Sequence, residues 1–385
     1  MMQGEKIRVL VADDSAFMRR VLIGILDADG GFEIVGEACD GREAVAQNAK
    51  LKPQVITMDV NMPHMDGLQA TEVIMSTEPR PIVIVSSESR AGAQATLRAL
   101  ELGAIDFVAK PTSAVDLDMS SVRDELVRKL RIAAKVRVVR NVMRKPPIAI
   151  FSTTVTPETE LLEPAAPVMM AQAEPWQPMA APFALPNLRL PVAVLAASTG
   201  GPATLMKLLP QFRAGFPGAL LVVQHMPGSF TAQFAEQLAS VSQIPVKQAQ
   251  NGEQLCAGQA YVCPGDCHLR VVPPGRIVLD DGPRIAGYRP NIDVTLESVA
   301  VLAGGNAVAA ILTGMGNDGA RGAQAVQEYG GLVLAQDEAT SVIFGMPFEA
   351  IRTGAVHQVL PLDQIAAAVT RRLTQPQGAS RTAGL

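Results

Sequence analysis

Cysteine is scarce in this sequence, with four in 385 residues, at positions 39, 256, 263 and 267. Four unevenly spaced thiols make no disulfide framework, so reduced cysteines in a cytoplasmic protein are the expectation. Histidine is equally rare, again four, which leaves few candidates for chemistry that needs an imidazole. A strong excess of charge is missing too. The formal net charge of -4 argues against a general nucleic-acid or membrane-surface binder. The opening MMQGEKIRVLVADDS places only Ile7 to Ala12 before two aspartates, too short an apolar run for a secretory signal. Between Glu297 and Asp318 no residue is charged, but Gly304-Gly305-Asn306 interrupts that stretch. A helix end, a turn and a short buried strand are predicted there, not a membrane span. No internal repeat is present.

What the sequence does have is two blocks of alternating pattern. A chain of 385 residues exceeds one ordinary core, so two domains and a connection are expected. Short β-branched runs at 7–12, 32–38, 55–60, 81–87 and 106–111 alternate with helical stretches, predicting a five-stranded parallel sheet covered by helices. Residues 121–145 read as an amphipathic helix with Leu126, Leu130 and Ala134 on one face. Its other face, from Arg123 to Arg140 and including Lys129, is basic and reads as a solvated connector surface. From Pro146 to Leu190 nine of the 28 prolines occur without periodicity, predicting a flexible linker that contains the only tryptophan, Trp176. Alternation resumes at 191, with strands at 192–197, 219–224, 260–263, 269–273, 307–313, 331–336 and 357–361. The Gly- and Pro-rich portion 247–290 suggests hairpins inserted in a doubly wound, mostly parallel α/β domain. The expected boundaries are 1–120, 121–190, 191–375 and a disordered tail at 376–385.

In a parallel sheet, ligands gather at the carboxyl ends of the strands. Asp13 and Asp14 follow the first strand, Asp59 ends the third, Ser86 the fourth and Lys110 the fifth. Three carboxylates that close need a cation, and hard oxygens suit Mg²⁺. A hydroxyl and an ammonium at the same rim could hold phosphoryl oxygens. Taken singly each is ordinary: an aspartate can cap a helix, and a lysine can be a surface charge. Together they resemble a response-regulator receiver domain over residues 6–120. The resemblance implies that Asp59 accepts a phosphoryl group from a sensor histidine kinase. It also implies that Asp13, Asp14, Asp59 and the Asn61 carbonyl hold Mg²⁺, and that Ser86, Phe107 and Lys110 form the switch.

In the second block Ser198-Thr199-Gly200-Gly201 lies between a strand and a helix. A serine in such a turn can be a nucleophile beside free helix-terminal N–H groups, although a plain helix cap or a phosphate cradle fits the same pattern. His225 follows the strand ALLVVQ and Asp318 follows AVAAILT, at the same predicted rim. A nucleophile, a base and an orienting carboxylate there favour acyl transfer. Cys263, Cys267 and His268 lack the spacing and the fourth ligand of a zinc site.

The segments ASTGG, QHMP, YVCPGDCHL, LTGMGNDGA and QDEATSVIFGMP resemble the catalytic domain of the chemotaxis protein-glutamate methylesterases, the CheB family, which also deamidate glutamine. Cys263, Cys267 and the long linker depart from the commonest family pattern. The resemblance covers nearly the whole chain and implies a Ser198–His225–Asp318 mechanism acting on chemotaxis receptors. Its oxyanion would be bound by the Thr199 and Met315 N–H groups. Receptors and a kinase are the implied partners, with no nucleic acid, no membrane insertion, no cofactor for the esterase and a monomeric state. Two rivals are an output domain that only binds DNA or a partner, for which no helix-turn-helix pattern exists, and a hydrolase of small esters.

Overall fold

The apolar run after Lys6 forms β1 (Ile7–Ala12), and the same kind of run recurs in β2 (Phe32–Ala38), β3 (Val55–Asp59), β4 (Ile82–Ser86) and β5 (Asp106–Ala109). All pair in parallel in the order β2-β1-β3-β4-β5. Nearly continuous burial along β3, β4 and β5 fits a sheet covered on both faces. Between the strands lie α1 (Ala16–Asp29), α2 (Gly41–Leu51), α3 (Gly67–Thr77) and α4 (Arg90–Glu101). Side-chain caps set their starts, most fully at α3, where Asp66 and Gln69 form a reciprocal capping box. The computed structural model describes residues 6–87, 89–110, 119–136 and 190–374. Most of the expected linker, Trp176 and the tail beyond Thr374 lie outside them.

Of the helix expected over 121–145, the described part runs over Met119–Ala133, as α5, residues 137–145 lying outside the described ones, and it packs on the sheet instead of forming a connector. Leu126, Leu130 and Ala133 are buried in a cluster with Val83, Val85 and Val108 of the sheet. A two-sided sheet needs that cover, so the helix belongs to the first unit. Its basic face is correspondingly not all solvated. The Lys129 ammonium is buried, 3.0 Å from Asp106 and 2.8 Å from Glu125, and donates to the Phe107 carbonyl at 2.5 Å. Burial alone would lower its pKa, but the two carboxylates outweigh that and hold it above the ordinary lysine value.

The second unit is built on seven parallel strands: β6 (Val192–Ala197), β7 (Ala219–Gln224), β8 (Val246–Gln248), β9 (Ala260–Val262), β12 (Ala307–Ile311), β13 (Leu332–Gln336) and β14 (Gln358–Leu360). A single antiparallel hairpin, β10 (His268–Val272) with β11 (Arg276–Asp280), stands apart from them. The hairpin insertion expected within 247–290 is this pair. Residues 260–262 join the main sheet in parallel and so does β8, which sequence pattern missed because only Val246 of its three residues is buried. The helices are α6 (Gly201–Leu208), α7 (Gly228–Val241), α8 (Ile292–Ala303), α9 (Ala320–Glu328), α10 (Met346–Arg352) and α11 (Leu362–Thr374). No helix among the described residues is long and apolar enough to cross a membrane.

The strand order β14-β13-β12-β6-β7-β9-β8 starts in the middle at β6, moves outward through β7, then returns to β12 on the opposite side. That reversal splays the connections after β6 and β12 apart at their carboxyl ends. A crevice forms there. The two units also touch. Leu97, Leu100 and Phe107 share one hydrophobic cluster with Leu205, Phe230 and Phe234, and the Phe107 and Phe230 rings lie 4.5 Å apart between centroids.

Lys129→Ala leaves Asp106 buried without its cation, so it should destabilise the first unit by about 3 kcal/mol. Urea denaturation monitored by circular dichroism measures this; an unchanged midpoint would show that the buried pair is dispensable.

Candidate active site

The hydrogen-bond ladder continues past the strand ends and fixes Ser198. Leu312 N–H donates to the Ala196 carbonyl at 2.8 Å, and Ser198 N–H donates to the Thr313 carbonyl at 3.0 Å. On the other side Ala197 pairs with Gln224, and His225 N–H donates to the Ala197 carbonyl at 3.2 Å. Ser198 and His225 thus leave adjacent strands at the same level. The buried Gln224 amide joins them, its Nε2 donating to the Ser198 carbonyl at 2.9 Å and the His225 carbonyl at 3.0 Å. Gly201 makes room for it, because a Cβ at 201 would sit 1.9 Å from Gln224 Oε1. Gly200 turns the chain at φ +76°, a conformation that costs glycine least.

Asp318 completes the rim from the loop after β12. Its Oδ2 lies 2.8 Å from His225 Nε2 and accepts the Ile292 N–H at 2.8 Å. Its Oδ1 accepts Asn291 Nδ2 at 2.9 Å and the Asp293 N–H at 3.1 Å. An ionised carboxylate can only accept, so Nε2 carries the proton and Nδ1 is left with its lone pair. Nδ1 is buried and has no partner among the described residues. Ser198 Oγ is not hydrogen-bonded to it. The Tyr288 ring stacks on the imidazole, centroids 4.1 Å apart and planes 13° apart, which holds the ring plane.

Met315 and Thr199 face the same turn. A Cβ on Gly314 would lie 2.8 Å from Ser198 Cβ, so the 314–315 backbone passes directly against the serine. Among the described residues neither the Thr199 nor the Met315 N–H donates to a protein acceptor. The Thr313 hydroxyl pins the Thr199 carbonyl at 3.0 Å, and Gln336 Oε1 accepts the Thr313 N–H at 2.9 Å. Beside Met315 an open cavity of about 330 Å³ is lined by Gly316, Asn317, Gly345, Phe348 and Glu349. Met315 and Phe348 are exposed large apolar residues. Chemically, the arrangement offers a hydroxyl, an oriented base and two free N–H donors on one rim.

The first unit gathers its predicted residues as well. Carboxylate oxygens of Asp13, Asp14 and Asp59 lie within 4.8 Å of one another. Lys110 Nζ lies 2.8 Å from both Asp13 Oδ2 and Asp59 Oδ2. Burial raises the Asp59 pKa above the usual carboxylate value, with a smaller contribution from Asp13, against the Lys110 hydrogen bond and charge. Lys110 is held above its ordinary value, its two carboxylate partners outweighing burial. Three carboxylates against one ammonium leave net negative charge on hard oxygen donors, a set that fits a divalent cation such as Mg²⁺. Ser86 is buried and donates to the Gly92 carbonyl at 3.3 Å, Phe107 is buried, and Asn61 is exposed at the end of β3.

With the geometry described, comparison with known proteins is direct. The family model for the response regulator receiver domain matches residues 9–120, and that for CheB methylesterase matches residues 193–369. A protein-glutamate methylesterase/protein-glutamine glutaminase of Pyrococcus abyssi is 41% identical over 378 residues, 97% of this chain and 96% of its own. The chain belongs to the CheB family. The relative of the same name from Symbiobacterium thermophilum is 42% identical over 372 residues, covering 95% of this chain and 96% of its own. Among solved structures, the Thermotoga maritima CheB methylesterase catalytic domain is 40% identical, with 47% of this chain and 98% of that chain covered and a TM-score of 0.46. The response regulator domain of the same organism's CheB is 46% identical, covering 34% and 99%, with a TM-score of 0.32. As a CheB family member this chain is a protein-glutamate methylesterase/protein-glutamine glutaminase carrying a receiver domain.

The CheB site also uses residues that sequence reasoning passed over. Gln224 and Gln336 each end an otherwise apolar strand, and a lone amide closing an apolar run was the available signal. Both ring nitrogens of His268 have protein partners. Its Nδ1 accepts the Asn291 N–H at 3.2 Å and its Nε2 meets the Pro283 carbonyl at 3.0 Å. Burial pushes the Cys263 thiol far above its ordinary pKa. His64 is exposed, and His357 Nδ1 accepts the Val333 N–H at 3.0 Å.

Gly201→Ala would displace Gln224 and uncouple the Ser198 and His225 backbones. Esterase turnover should fall about a hundredfold, as for a misplacement near 1 Å, with the far-ultraviolet circular dichroism retained. Turnover within threefold of the parent would show that the clasp is not needed.

Proposed function

We propose that this chain is a phosphorylation-activated enzyme that removes methyl groups from glutamate methyl esters of chemotaxis receptors, and deamidates receptor glutamines, by a Ser198–His225–Asp318 mechanism. The carrying observation is the His225–Asp318 bond through Nε2 at the strand end beside Ser198. It leaves Nδ1 as the base.

In the proposed reaction Nδ1 takes the proton of Ser198 Oγ as the oxygen attacks the side-chain carbonyl carbon. Asp318 holds the imidazole in the required tautomer and balances the imidazolium. The Thr199 and Met315 N–H groups receive the oxyanion, each worth roughly 10²–10³ in rate. Nδ1–H then protonates the departing methoxide, giving methanol and an acyl-serine. A water molecule, deprotonated by the same nitrogen, releases the free glutamate. A glutamine side chain follows the same path and releases ammonia.

Regulation starts at Asp59, the proposed acceptor of a phosphoryl group from a sensor histidine kinase. Asp13, Asp14, Asp59 and the Asn61 carbonyl would hold Mg²⁺, which neutralises charge around the phosphoryl oxygens. Lys110 binds a phosphoryl oxygen, and Ser86 and Phe107 respond to it. Three contacts support inhibition by the receiver. Glu101 of α4 accepts a hydrogen bond from Gln237 of α7, and Phe107 packs on Phe230 of that helix. Val342, which abuts Gly200 in the nucleophile turn, also packs against the receiver's core. A bulky receptor segment cannot share that space. Phosphorylation would shift the population to an undocked form.

Ser198→Ala should abolish methanol release from methylated receptor membranes, and release at more than about one hundredth of the parent rate removes serine from this role. A small phosphodonor with Mg²⁺ should raise the rate of the parent but not of Asp59→Asn. Gln237→Ala, which loosens the docked form, should raise the rate without phosphodonor; equal rates for Gln237→Ala and parent would argue against the docked contact as the brake.

A further inference from the structure

Asp318 does not hold its position alone. It stands just before Gly319, the N-cap of α9, yet none of its acceptor bonds goes to α9. Apart from His225, its donors are the N-cap side chain and the first two N–H groups of α8. The first turn of α8 supplies Asp293 in return. Asp293 Oδ1 accepts the Gly319 N–H at 2.9 Å and the Gly322 N–H at 2.7 Å, both at the start of α9. Each helix N-terminus therefore binds the aspartate of the other. Both dipole ends point at carboxylates, which is where an anion is stabilised.

The two helices are brought close enough for this exchange by Gly322, where a Cβ would lie 2.5 Å from Leu296 Cβ and 3.2 Å from Asp293 Cα. Gly319, at φ +94°, lets the chain turn between Asp318 and α9. The Asp293 side chain is largely buried, and Arg321, 3.9 Å from its Oδ2, is engaged by Glu297. Burial and the Asp318 charge raise the Asp293 pKa, against the Gly322 hydrogen bond. A buried carboxylate beside a second one is an expensive arrangement unless each fixes something.

We propose that Asp293 is a positioning residue for catalysis: by tying the start of α9 to the start of α8 it fixes the Asp318 carboxylate, and so the His225 imidazole. This rests on the reading of Asp318 as the orienting carboxylate. Asp293 touches neither substrate nor imidazole. Its effect passes through Asp318 and falls on the chemical step.

The test is a double-mutant cycle in the full chain, with methanol release from methylated receptor membranes in the presence of phosphodonor. Asp293→Asn keeps the volume and one acceptor oxygen. It should lower kcat about tenfold with KM within twofold of the parent and the circular dichroism unchanged. In an Asp318→Ala background the same substitution should lower kcat by less than twofold. Should Asp293→Asn fold poorly, Asp293→Ser takes its place. If Asp293→Asn leaves kcat within twofold, raises KM instead, or acts by an equal factor in both backgrounds, the proposal is overturned while the role of Asp318 stands. If Asp318→Ala alone leaves kcat unchanged, the orienting-carboxylate reading fails, and this proposal with it.

Discussion

The hydrogen-bond ladder that joins β12, β6 and β7 is the constraint from which the active site follows. Parallel strands in fixed register deliver their next residues to one edge at one height. Ala197 faces Gln224 on one side, and the 196–198 backbone bonds to 312–313 on the other. Ser198, His225 and the loop that carries Asp318 are therefore set side by side by backbone pairing, before any side chain chooses a rotamer. The same logic runs in the receiver, where the ends of β1, β3, β4 and β5 converge on the acidic pocket. Two chemistries use one geometric device.

Buried amides refine what the ladder begins. Gln224 and Gln336 sit where strands end and bond backbone groups there, the His225 carbonyl and the Thr313 N–H among them. Gln336 uses both ends of its amide, whereas Gln224 uses both donors and leaves its buried Oε1 without a partner among the described residues. Their cross-links to 198, 225 and 313 turn flexible strand exits into a stiff rim. The stacked Tyr288 does the same for the imidazole by shape.

Most strands were legible because parallel sheets demand continuous apolar runs, and 192–197 and 219–224 end where the pattern ends. Placing Ser198, His225 and Asp318 at strand exits followed from that alone. Elements that break the pattern stayed hidden. β8 is three residues long and half exposed, and β11 begins with an exposed arginine. The helix α5 was misjudged because its basic face looked solvated, whereas Lys129 is neutralised inside by Glu125 one turn before it and by Asp106, which pattern cannot pair across the chain. The partnership of Asp293 with α9 was equally invisible. It joins residues whose sequence separation carries no periodic signature.

Phe107 belongs at once to the receiver's interior and to its boundary with the esterase, where Phe230 meets it. The receiver therefore cannot tune its own robustness and its grip on the enzyme separately. A lineage that enlarges or trims that ring changes the folding strength of one module and its contact with the other in a single step. Interdomain packing and thermal tolerance are drawn from the same aromatic surface.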